Sequence, residues 1–298
     1  MSAQNAIRAI LSEMWAIDPG YLHLLAAIAQ RNVNAPEIQA AQGWSQRDYQ
    51  LMAGPGAIRL DGASNRAFVA DGVAIIPVVG PILPRANLMT EMSGATSAQQ
   101  TIADLRVALA SDQVGAVLFQ YDTPGGAVSG MSALSDATFN ARKAKPIGAF
   151  VSGAAASAGY WHASQTMDIT VDRAALVGNI GIVSAQKKQV SPSADGYIEV
   201  DVVSSNAQNK RPDPTTEDGL AEIRATLDAI EGEFIADVAR GRGISAETVI
   251  EGFGKGGVKV GKDAVAAGMA DRVGSFESAL KRMQQMARAN KRAASLKQ

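Results

Sequence analysis

Two glycine-containing turns carry the residue types that could do chemistry: Asp122-Thr123-Pro124-Gly125-Gly126 and Ser152-Gly153-Ala154-Ala155-Ala156-Ser157-Ala158-Gly159-Tyr160. Attack by a serine on an acyl carbon needs a hydroxyl held on a sharp turn. It also needs backbone N–H groups aimed at the oxygen that becomes negative in the tetrahedral intermediate. Ser157 is the candidate nucleophile. It stands at the expected start of a helix, where the N–H of Ala158 lacks an intrahelical acceptor and is polarised by the helix terminus. The Gly125-Gly126 turn can supply a second donor, because a backbone without Cβ lets a substrate carbonyl approach closely. Either motif alone has an ordinary explanation, since Pro-Gly-Gly is usually a turn and a serine among alanines a cap or packing residue. Their placement at the ends of consecutive strands is what makes the case.

A serine nucleophile needs a base. The chain has no cysteine and two histidines, His23 and His162. His162 lies five residues after Ser157, which on a helix turns its side chain roughly 140° away; it reads as a structural residue, as does His23 in the N-terminal extension. A lysine whose pKa is lowered by desolvation can take the serine proton instead. Lys210, in Ser204-Ser205-Asn206-Ala207-Gln208-Asn209-Lys210-Arg211-Pro212, is the first candidate. Lys187 and Lys188, directly after a predicted strand, are its rivals, and Lys-Arg-Pro-Asp-Pro read alone is an exposed charged loop.

The elements that must position these residues alternate. The apolar runs 73–83, 116–126, 146–153, 168–172, 181–185 and 197–205 predict strands. Residues 101–111, 130–143, 156–164 and the amphipathic stretch 216–241 predict helices. Such alternation implies an α/β fold with a mostly parallel sheet, whose ligands sit at the carboxyl ends of its strands. Ahead of it, apolar positions at helical spacing over 5–31, broken at Asp18-Pro19-Gly20, predict two short helices, and 32–70 shows no sustained period. After Phe276 the chain is polar, cationic and of high helix propensity, which predicts a solvated helix, with docking on an acidic partner surface as the alternative. The divisions expected are therefore 1–70, 71–275 and 276–298.

Composition narrows the function classes. With 47% hydrophobic residues and 28 basic against 29 acidic side chains, the chain reads as a globular protein with no general attraction to nucleic acid or anionic membranes. Without cysteine, thiolate metal sites and disulfides are excluded, and no metal or cofactor is expected. No apolar run reaches the length a membrane span needs, so a cytoplasmic protein is expected.

Taken in order, these residues resemble the S49 peptidases, the family of signal peptide peptidase A and the head-maturation proteases of tailed phages. The resemblance covers roughly residues 72–275. It rests on the first apolar strand, Asp122-Thr123-Pro124-Gly125-Gly126, Ala155-Ala156-Ser157-Ala158-Gly159-Tyr160-Trp161, Val177-Gly178-Asn179-Ile180-Gly181-Ile182, a later lysine, and the run from Val260 to Asp271. It implies a ClpP/crotonase-type fold and a serine peptidase with a Ser-Lys dyad, Ser157 and Lys210, whose oxyanion hole is formed by the amides of Gly126 or Gly125 and of Ala158. The 53-residue spacing from Ser157 to Lys210 suits the phage-like, single-domain members, although Ala207-Gln208-Asn209 replaces the small, glycine-containing stretch usual before that lysine. Leu11-Ser12-Glu13-Met14-Trp15-Ala16-Ile17-Asp18-Pro19 resembles the start of phage capsid proteases. By that resemblance the substrates are scaffold, capsid or portal proteins in the host cytoplasm or inside proheads. It also implies a ring-shaped homo-oligomer in which neighbouring subunits can share one site. Three other readings share the pattern: a soluble bacterial S49 housekeeping peptidase, set apart from the phage role by its substrate; a crotonase-type acyl-CoA enzyme, which has no need of a serine at 157; and a capsid scaffold or assembly factor with a dead site, which would tolerate loss of Lys210.

Overall fold

The computed structural model describes residues 14–17, 45–54, 56–86, 94–186, 188, 191–192, 196, 198, 200 and 202–295. Its centre is three parallel strands: β4 (Val73–Val79), β7 (Ala116–Thr123) and β9 (Ile147–Ala156). A continuous apolar run suits mid-sheet because both faces are covered. Val117, Phe119 and Tyr121 pack into one layer, while Ala116 and Leu118 pack into the other. The crossover helices α2 (Ala98–Ala110) and α3 (Met131–Ala141) bring Leu105, Ala108, Met131 and Leu134 onto the first of these faces. Ser97 caps α2 by accepting from the Gln100 N–H, which satisfies a donor the helix cannot.

The sheet is extended on both sides. Beyond β4 lie β3 (Phe68–Ala70) and β2 (Ile58–Arg59), both antiparallel, with helix α1 (Gln46–Ala53) packed on β3. The outer edge of β9 is shared: β10 (Asp168–Val171) pairs with Gly148–Val151 and β11 (Leu176–Gly178) with Ala154–Ala156, both parallel. Strand β12 (Val258–Val260) follows β11 antiparallel, and β13 (Arg272–Val273) follows β10 parallel. This is the mostly parallel α/β fold of ClpP/crotonase type with flanking helices. A second, four-stranded sheet runs β1 (Trp15–Ile17), β8 (Gly125–Ala127), β5 (Ile82–Leu83), β6 (Thr96–Ser97). Gly80, at φ 64°, turns the chain out of β4 into it, so the run expected as one strand over 73–83 serves two sheets.

Helix α4 (Ala158–Ala163) is buried throughout. Helix α5 (Glu217–Arg242) lies against it through Trp161, which stacks on Phe234 at 4.5 Å and donates to Asp237 Oδ2 at 2.7 Å. Helices α6 (Ala246–Gly252), α7 (Gly261–Ala266) and α8 (Phe276–Ser295) complete the chain.

Several expectations give way. Residues 181–185 form no strand; Val183 makes an isolated antiparallel bridge to Trp15. The described residues of 197–205 form none either: Ile198, Val200 and Val202 stand exposed, and among the described residues no strand pairs with them. Trp15–Ile17, expected in a helix, is a strand: its backbone is paired along both edges and Trp15 and Ile17 are buried, a long-range pairing that outweighs a helical spacing. The rest of the two expected N-terminal helices lies outside the described residues. The cationic segment after Phe276 is not solvated all round: α8 covers the second face of the sheet with Ala279, Met283 and Ala287, spaced four apart, and Arg282 donates to Asp168 at 2.9 Å.

Candidate active site

Strand β9 ends at Ala156 and helix α4 begins at Ala158, which leaves Ser157 to make the whole turn. It does so at φ 51°, ψ −117°, a backbone region costly for any residue with a Cβ and typical of strain retained at functional turns. The surroundings hold it there. The Ser157 N–H donates to the Gly178 carbonyl at 2.6 Å, and the Ser157 carbonyl accepts from the Trp161 N–H at 2.9 Å. The side chain is fully buried, and its Oγ has no hydrogen-bond partner among the described residues. A buried hydroxyl left unpaired is unfavourable for stability. A serine on a strained strand-to-helix elbow with its hydroxyl uncommitted has the geometry that a nucleophile would need.

Gly125 and Gly126 stand beside it. A Cβ on Gly125 would come within 3.0 Å of Ser157 Cβ, and one on Gly126 within 2.0 Å of the Ile82 carbonyl oxygen, so glycine at both positions is dictated by close backbone approach. Gly125 has φ 108° and donates its N–H to Thr123 Oγ1 at 3.2 Å, while that hydroxyl donates to the Gly80 carbonyl at 2.6 Å. Thr123 Cγ2 also fills the space a Cβ on Gly159 would need. Thr123 thus braces the glycine turn and packs against helix α4, a role the sequence signals only by its place in the motif. Ala158 opens α4 fully buried, with its N–H at the free end of the helix.

The basic candidates are dispersed. Lys210 ends a 3-10 turn (Gln208–Lys210) and is exposed. Ser157 and Lys210 are therefore not hydrogen-bonded within one chain. Lys188 pairs with Asp213 and donates to Thr215 Oγ1 at 3.2 Å. The hydrogen bond from Lys188, helped by Thr215, holds the Asp213 carboxyl at about 2. Lys187 and His23 lie outside the described residues. His162 is structural, as expected: it is buried, with Nδ1 3.0 Å from Tyr121 Oη and Nε2 2.8 Å from Thr138 Oγ1, and burial lowers its pKa to about 3.

A buried hydroxyl on a strained elbow thus stands beside a glycine strand on a mostly parallel α/β sheet of ClpP/crotonase type. The chain belongs to peptidase family S49, whose model matches residues 140–290. It is 26% identical over 302 residues to the head-tail preconnector protein GP5 of Enterobacteria phage P21, covering 99% of this chain and 60% of that one. It is 27% identical over 208 residues to the capsid assembly protease C of Escherichia phage lambda, covering 69% and 47%. It is 28% identical over 225 residues to Protease 4 of Haemophilus influenzae, covering 73% and 35%. The chain therefore spans from 35% to 60% of the length of these relatives. Among the described residues no helix is long and apolar enough to cross a membrane.

Proposed function

We propose that this protein is a serine endopeptidase that trims capsid, scaffold or portal proteins during phage head assembly, with residues 71–275 as its protease domain. The observation that carries the reading is the strained, buried Ser157 beside Gly125, its Oγ without a hydrogen-bond partner among the described residues. The names of two phage relatives, a capsid assembly protease and a head-tail preconnector protein, support the substrate class and, with it, action in the host cytoplasm or inside proheads.

Ser157 Oγ attacks the scissile carbonyl carbon, and its proton passes to the neutral amine of Lys210. The oxyanion is held by the N–H of Ala158 and by that of Gly125 or Gly126. Collapse of the intermediate breaks the C–N bond, the leaving amine takes the proton, and water then hydrolyses the acyl-serine by the same route. A lysine is a base only when desolvated enough to stay neutral. Lys210, exposed in one chain, gains that environment by packing against a neighbouring copy in a homo-oligomer ring.

The test follows cleavage of a disordered, alanine-rich protein by mass spectrometry. Ser157→Ala and Lys210→Ala are each expected to lower the rate by at least about a thousandfold while keeping fold and oligomeric state. Undiminished cleavage by Ser157→Ala would overturn the reading. Loss with Lys188→Ala but not Lys210→Ala would move the base to Lys188.

A further inference from the structure

A piece of the chain's own N-terminal segment lies close to Ser157. Strand β1 runs antiparallel to β8, with Trp15 opposite Ala127, Ala16 opposite Gly126 and Ile17 opposite Gly125. The Met14 carbonyl accepts from the Val128 N–H at 2.9 Å. On its other edge Trp15 exchanges two backbone hydrogen bonds with Val183, at 3.0 and 2.9 Å. The segment is thus a middle strand, clasped on both sides. Trp15 and Ile17 are 3% and 2% exposed and pack on Ala127, Leu83, Val183 and Ala185, while Ala16, at 0%, points into the main core. The atoms of β1 also crowd the nucleophile. The space a Cβ on Gly125 would fill is bounded by the Ala16 carbonyl oxygen at 2.2 Å, Ile17 Cα at 2.9 Å and Ser157 Cβ at 3.0 Å.

We infer that Met14–Ile17 is a tethered occupant of the peptide groove and must leave before another chain reaches Ser157. The inference rests on Ser157 being the nucleophile and adds how its access is controlled and what it accepts. A slot with a β-edge on each side binds an extended peptide by strand addition, with specificity set by alternate side chains. Here the alternation is read from the occupant: a large apolar residue, a small one buried toward the core, then a large apolar one. Because the occupant is tethered, it competes at an effective concentration on the order of millimolar, so a free peptide at micromolar concentration is excluded.

The test measures binding in the Ser157→Ala protein, where no cleavage can occur. The probe is a fluorescein-labelled synthetic peptide with the sequence of residues 12–19, Ser-Glu-Met-Trp-Ala-Ile-Asp-Pro, followed by anisotropy. Adding Trp15→Glu and Ile17→Glu, which cannot sit in the apolar slot, is expected to tighten peptide binding at least tenfold; unchanged affinity would overturn the inference. A second protein serves should that variant fail to fold. The Trp15–Ala127 pair exchanges no hydrogen bonds across β1 and β8, so its Cα atoms are about 4.5 Å apart, within the range of a disulfide. The chain has no cysteine of its own. With Trp15→Cys and Ala127→Cys, the oxidised protein is expected to bind the peptide at least tenfold more weakly than the reduced protein, whose strand can leave; equal affinity in the two forms would overturn the inference. The outcomes separate from those for the proposed function. Peptide binding without Ser157-dependent cleavage would leave the groove standing and remove the peptidase, whereas Ser157-dependent cleavage with no change in peptide binding would do the reverse.

Discussion

His162 is the residue nearest in sequence to Ser157 that could have been its base, and its environment assigns it another task. Both ring nitrogens are engaged by the hydroxyls of Tyr121 and Thr138, and the ring meets Phe119 edge-on with centroids 4.6 Å apart. A neutral imidazole suits this site, donating through one nitrogen and accepting through the other. Burial lowers the pKa from 6.5 to about 3. The unfolded chain therefore takes up a proton on this side chain below about pH 6.5, which the folded chain refuses until about pH 3. More protons on the unfolded state mean stability that falls as pH falls across this window, by up to about 1.4 kcal/mol per pH unit, with no contribution above it. Urea unfolding between pH 7 and pH 4.5 is expected to show this decline. His162→Gln, less stable at pH 7 through lost packing, should lose the part of the slope that corresponds to one proton. Parallel slopes for the two proteins would contradict the assignment.

At the scale of elements, α8 shows how a polar, cationic stretch can be structural. Its buried positions, Ala279, Met283 and Ala287, form one stripe facing Val73, Ala116, Leu118 and Phe150. Met283 Sδ occupies the space a Cβ on Gly148 would need. Met283→Ala should cost about 2–4 kcal/mol, the range for a large-to-small change in a packed core, as a lowered urea midpoint at neutral pH. A change under about 0.5 kcal/mol would mean that the helix is not seated on the sheet. The charges obscured that stripe in the sequence, because three apolar contacts are few against so many cations. Between residues 98 and 171 the sequence was readable, because each strand is buried on both faces and each helix carries its own apolar face. It misled where an element depends on a distant partner. Trp15–Ile17 is a strand only because Gly125–Ala127 and Val183 flank it, and β11, β12 and β13 are two- or three-residue pairings with little pattern of their own. The candidate site divides in the same way: the Ser157 elbow and the glycine turn were visible as local motifs, whereas the Thr123 brace and strand β1 are products of tertiary pairing.

At the scale of the whole molecule, the separation of Ser157 from Lys210 makes an arithmetic prediction. Ser157 is buried and Lys210 exposed on the turn before α5, so the proposed dyad calls for Lys210 of an adjacent copy, which the homo-oligomer ring proposed above would supply. In a closed ring every subunit presents the same two surfaces, one giving the serine and the other the lysine. Ser157→Ala and Lys210→Ala proteins are each expected to be inactive alone, yet each keeps what the other lacks. When the two are unfolded together and reassembled in equal amounts, a site needs an intact serine on one subunit and an intact lysine on its neighbour. Each condition holds by chance in half of the cases, so about a quarter of wild-type activity should return for a heterologous interface. A dyad formed within one chain would return none, since every chain in the mixture lacks one member. Specific activity after co-refolding, against each variant refolded alone, distinguishes the two arrangements.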